Sequence, residues 1–237
     1  MDFIFFLKSV LPITIIEILA AIFGLYYLKK VKPKDATRYF VYFLWLIVVV
    51  ESFGAIPAIA YFTNYEYFGF LKDTFFQRNS WLYNIFTLIT SIFYTLYFLS
   101  FTDFKLKKLF IKIAVFIYFI YGVYLLLDIS VLGSANVPFI TIGGAIIMFL
   151  SIMTFYMQLL KSDLILKLQK YLPFYVSIGV LIFYLCTTPI EIYMNYFKEG
   201  NEFFMTFKTK MYLYLNLFLY GSFILGFILC SKKNKFY

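Results

Sequence analysis

Three carboxylates stand inside apolar runs of this 237-residue chain: Glu17, Glu51 and Glu191. A charge near the centre of a bilayer costs roughly 2.5–3.5 kcal/mol on insertion scales, so such groups face a protein interior, a polar cavity or a partner side chain. Glu17 and Glu51 fall near the middle of their runs, and no Lys or Arg stands at a similar depth to pair with them. Without a cation, burial favours the neutral acid. That suits both residues to ligand or proton binding, or to hydrogen bonds between helices. Glu191 lies a few residues from the end of its run, where a carboxylate can also reach the interface. Asn84 and Asn216 place one amide in each of two further runs, to bind a polar solute or a neighbouring helix.

Missing residue types exclude other chemistry. The chain has no histidine, which removes Ser-His-Asp and Cys-His nucleophiles and His-ligated zinc or haem. Cys186 and Cys230 occupy different depths, about 15–20 Å apart at 1.5 Å per residue, too far for a disulfide. No Gly-rich loop followed by Lys is present to cradle phosphate. The last apolar run, Met211–Cys230, holds no lysine for a retinal Schiff base. The expectation is a non-enzymatic protein with no metal and no organic cofactor.

Those carboxylates and amides must be positioned by membrane-spanning helices. Hydrophobic residues make up 63% of the chain and charged ones 14%, and mean hydropathy is +0.86. A soluble domain carries about a quarter charged residues. Seven stretches reach the roughly 20 apolar residues that a crossing needs. They are residues 9–28, 40–62, 81–101, 109–127, 137–160, 172–193 and 211–230. The connections are too short for a soluble domain. The pattern predicts an all-α, polytopic seven-helix bundle forming a single transmembrane domain over residues 1–237.

Fifteen of the 21 Lys and Arg fall in the segments after the first, third and fifth spans and in the tail. The positive-inside rule then places the N-terminus outside and the C-terminus in the cytoplasm. The net charge of +9 is explained by these flanking cations, which meet anionic lipid rather than nucleic acid. The first run ends in Lys29-Lys30 and has no basic segment before it, so it reads as a retained helix and not as a cleaved signal peptide. Ala20 with Gly24, Gly54 with Ala58, Gly143-Gly144 and Gly221-Ser222 read as close helix contacts. Mid-span aromatics read as packing. The aromatic outer connections, with Phe70, Phe75 and Phe76 in one and Phe197, Phe203 and Phe204 in the other, are expected to lie on the membrane or over the bundle mouth.

Spans one to three and five to seven share an orientation, as a parallel 3+1+3 repeat requires. Pro12 and Pro138 lie near the outer ends of the first and fifth spans; Pro57 and Pro189 do so in the second and sixth. Pro57 to Asn84 and Pro189 to Asn216 have the same separation. All four prolines are candidate helix-bending positions. This pattern resembles the SWEET-type sugar transporters, whose 3+1+3 bundle sets a proline tetrad and an Asn from each half around the substrate. The resemblance implies that Pro12, Pro57, Pro138 and Pro189, with Asn84 and Asn216, line such a site. Here the prolines sit toward the outer face, where that family has them toward the cytoplasm, and no Pro-Gln motif is present.

The run Tyr171–Leu185, the Tyr83-Asn84 pair, Glu51 following Trp45, and the ending Gly226–Lys233 resemble a family of small, uncharacterised seven-helix bacterial integral membrane proteins. Members of that kind accompany sensory signalling genes. The resemblance implies a component of the inner (cytoplasmic) membrane that acts through a separate cytoplasmic or membrane signalling partner. The expected function is therefore sensory, with a polar intramembrane cavity. The alternative is a small secondary transporter that is proton- or cation-linked, or carries a sugar-like solute. Oligomeric state is left open.

Overall fold

A computed structural model describes residues 3–135, 137–194 and 202–231. Among these, every regular element is helical, and seven helices are long and apolar enough to cross a membrane. The chain is a multi-pass membrane protein. In lipid each backbone N–H and C=O must be satisfied within its own segment, and a helix does this without neighbours.

The helices span Phe3–Lys30, Asp35–Phe62, Ser80–Leu99, Lys105–Leu126, Pro138–Leu160, Leu172–Met194 and Glu202–Ser231, and are referred to below as the first to the seventh. The third, fifth and sixth agree within two residues with the hydropathy boundaries at both ends, and the second and fourth begin five and four residues early. The seventh begins nine residues early, because Thr206, Lys208, Thr209 and Lys210 lower the local hydropathy without interrupting the helix. The first also begins early, where Phe3 and Phe6 pack on Phe62 at ring-centroid distances of 5.4 and 5.3 Å. Lys198, Lys232, Lys233, Lys235 and Phe197, which enter the charge and aromatic patterns, lie outside the described residues.

Six helices close a ring in the order first, second, third, fifth, sixth, seventh. The fourth lies outside it, against the third and fifth. Its exposed Phe110, Phe116, Ile117 and Tyr124 form a lipid-facing surface. Close approach within the bundle relies on small residues, as association in lipid does generally. A Cβ on Gly144 would meet Tyr118 Oη at 2.7 Å, and one on Gly24 would meet Val41 at 3.0 Å. Gly221 departs from the expected pattern: a Cβ there would meet no neighbouring helix within 4 Å among the described residues, and Gly179 is the residue that faces Ser222.

The connection over residues 63–79 contains two short 3-10 turns, Gly69–Leu71 and Phe75–Gln77. It folds down the flank of the bundle, where Phe70, Leu71 and Phe76 face Val50, Phe53 and Pro57 across an apolar groove. At the lysine-rich end, two 3-10 turns within Asp163–Lys170, separated by a kink at Lys167, expose Leu164, Ile165 and Leu166 beside Lys167 and Lys170.

Candidate functional site

The ring encloses a cavity of about 470 Å³, and all five polar residues singled out in the sequence line it: Glu17, Glu51, Asn84, Glu191 and Asn216. A polar side chain in an apolar run is driven inward because lipid offers it no partner. Five helices supply them. The cavity runs from Glu17 and Tyr220 at mid-depth to Lys208 and Ala135 at the end away from the lysine-rich loops. Lys208 to Tyr220 is about 18 Å along the helix axis at 1.5 Å per residue.

Glu17 is 2% exposed and its Oε2 has no hydrogen-bond partner. Its carboxyl accepts a hydrogen bond from the Tyr220 hydroxyl and is near enough to Glu51 for their charges to interact. Glu51 accepts a hydrogen bond of 2.7 Å from the Tyr83 phenol on the third helix. Glu191 accepts one from the Tyr212 phenol on the seventh and pairs with Lys208 at 3.3 Å. The Lys208 ammonium also stands 5.5 Å from the centre of the Tyr212 ring. Glu191 is therefore drawn inward by a cation, where the sequence alone also allowed it to turn toward the interface.

The two asparagines share the cavity but differ in bonding. Asn84 Nδ2 donates to the carbonyls of Leu132 and Ser134, both at 2.9 Å, and ties the connection between the fourth and fifth helices to the third. Asn216 Nδ2 donates 2.8 Å back to the Tyr212 carbonyl on its own helix.

The prolines do not surround the cavity. Pro12, Pro57 and Pro189 lie within helices, each removing one backbone donor. Pro57 lines the flank groove and Pro189 a second apolar crevice, between the fifth and sixth helices. Pro138 opens the fifth helix instead of bending it, since an N–H in the first turn has no intrahelical acceptor in any case. No residue of the 63–79 connection lines the cavity among the described residues, so this connection does not cover the site.

Sequence reasoning missed Lys208 and the tyrosines. Tyr83, Tyr94, Tyr184, Tyr212 and Tyr220 all line the cavity, although mid-span aromatics read as packing. A signal was present: Tyr83 precedes Asn84, and Tyr212 and Tyr220 each stand four residues from Asn216, on one helix face.

Toward the lysine-rich end, the interior closes on interlocked rings. Phe40 meets Phe223 edge-on at 5.1 Å and Tyr97 at 5.2 Å. Tyr27 meets Phe227 at 5.6 Å, and Phe101, Phe155 and Tyr171 pack mutually at 6.1–6.4 Å. These rings come from, or directly adjoin, all six ring helices. They form an apolar plug beneath the polar cavity.

The chain matches no protein-family model, no curated protein and no solved structure.

Proposed function

We propose that the protein is a sensory membrane component that captures a small polar solute from the outer side and reports its binding through the plug to a partner on the lysine-rich side. One observation carries this reading: a carboxylate-lined cavity that reaches one end of the bundle and stops on rings that come from, or directly adjoin, the six ring helices. A solute that shifts the walls around Glu17 and Glu51 displaces Phe40, Tyr97 and Phe223, because close-packed rings have no free space to absorb a shift. The lysine asymmetry supports placing the plug on the cytoplasmic side. The signal passes to a separate protein, as the resemblance to small seven-helix bacterial proteins implies.

Transport is the second reading. The ring order sets the first three helices against the last three, and each set holds one Tyr-to-Glu bridge, Tyr83 to Glu51 and Tyr212 to Glu191. That arrangement supports a duplicated, rocking pair of halves. Extraction in mild detergent followed by mass spectrometry separates the two. A stoichiometric signalling protein supports the sensory reading. A chain that purifies alone and drives solute uptake into reconstituted vesicles replaces it with transport.

A further inference from the structure

We propose that the cavity takes a small organic cation, an amine or alkylammonium, held by Glu17 and Glu51 against the faces of the surrounding tyrosines. The proposal rests on the cavity being a solute site and names the class of solute.

The charge is unevenly distributed. Lys208 lies at the outer end, already against Glu191. The inner end holds two carboxyls and no basic side chain among the described residues. An incoming ammonium supplies the counter-charge that the chain itself withholds there.

The hydrogen bonding points the same way. Buried polar atoms in folded proteins nearly always have partners, yet Glu17 Oε2, on a side chain only 2% exposed, has none. The Tyr220 hydroxyl bonds the same carboxyl, but this oxygen is an acceptor without a donor, and an ammonium N–H is a charge-assisted donor. Tyr83, Tyr94, Tyr184 and Tyr220 line the same space, and aromatic rings attract cations. Three carboxyls oppose an anion. A metal ion fits poorly, because among the described residues no three ligand-type side chains converge on one point. The volume of about 470 Å³ suits a small molecule.

Charge-selective thiol labelling tests the proposal. Thr87 lines the cavity; Thr87→Cys is placed in a background in which Cys186 and Cys230 are alanine. The reagents are the trimethylammonium-ethyl and sulfonatoethyl methanethiosulfonates and the neutral methyl ester, each rate divided by that for a free thiol in solution. The cationic reagent is expected to outrun the anionic one by about tenfold or more, the low end of the scale of electrostatic focusing in a cleft, since Lys208 is already paired with Glu191. Tetramethylammonium or butylamine should protect the thiol. The double variant Glu17→Gln, Glu51→Gln should bring the ratio near one while neutral labelling persists. Equal rates, a faster anion, or a ratio unchanged by the double variant would overturn the cation and leave solute capture standing. Absence of labelling by all three reagents would show the cavity to be unreachable, and capture would fail with it.

Discussion

Tyr83 donates its phenol to Glu51 at 2.7 Å, and the same ring occupies the space that a side chain at Gly54 would need, its Cζ standing 2.8 Å from where a Cβ would lie. The absent side chain on the second helix thus lets the third come close enough for the bond. Tyr83→Phe removes one intramembrane hydrogen bond and should lower stability by about 1 kcal/mol. Glu51→Gln keeps a carbonyl acceptor and should change stability far less. Thermal unfolding in detergent reads both; equal losses would mean that the bond contributes through charge and not through the Tyr83 donor.

Glu17→Gln and Glu51→Gln should insert and fold as the parent does, but lose the response that the partner or solute provides, because the amide keeps shape and removes the ionisable group. Leu at either position tests a purely structural role. Gln variants with full response, beside Leu variants with reduced detergent stability, would make the carboxyls structural.

Asn84→Ala should loosen the connection between the fourth and fifth helices, since two carbonyls lose their donor. Hydrogen exchange over residues 129–134 should quicken while the third helix keeps its protection. Unchanged exchange in that segment would contradict the tie.

Asp128 caps the short helix Ile129–Leu132, accepting from the Ser130 hydroxyl at 2.6 Å and the Ser130 N–H at 2.8 Å. Those bonds hold its carboxyl below the usual carboxylate range. A depressed carboxyl stabilises the form it caps at pH values above its unfolded value, about 3.9 for a free Asp. The contribution disappears as pH falls through the lowered value. Local protection of Ser130, corrected for intrinsic exchange, should therefore hold at neutral pH and drop in strong acid. In Asp128→Ala that dependence should be absent.

Orientation can be read with an impermeant maleimide on intact cells. Tyr67 and Leu166 are 73% and 84% exposed, on opposite ends of the bundle. Tyr67→Cys should label directly and Leu166→Cys only after permeabilisation, as the lysine distribution requires. The reverse pattern would invert the protein and the site with it.

The sequence by itself determined the number of spans, their all-helical character and the inward placement of Glu17 and Glu51. Lipid imposes these outcomes on any apolar run with isolated polar residues, whatever its neighbours are. Tertiary structure alone decided which helices adjoin, that the fourth stays outside, and that Pro57 and Pro189 face outward crevices. It also turned Lys208 toward Glu191 and gathered Phe40, Tyr97 and Phe223 into a plug. The reason is that both faces of these helices are apolar. In water a hydrophobic stripe fixes the rotation of a helix about its own axis. In a bilayer that rotation is set by close packing and by a few polar bonds across the ring, and neither is legible until the neighbours are in place.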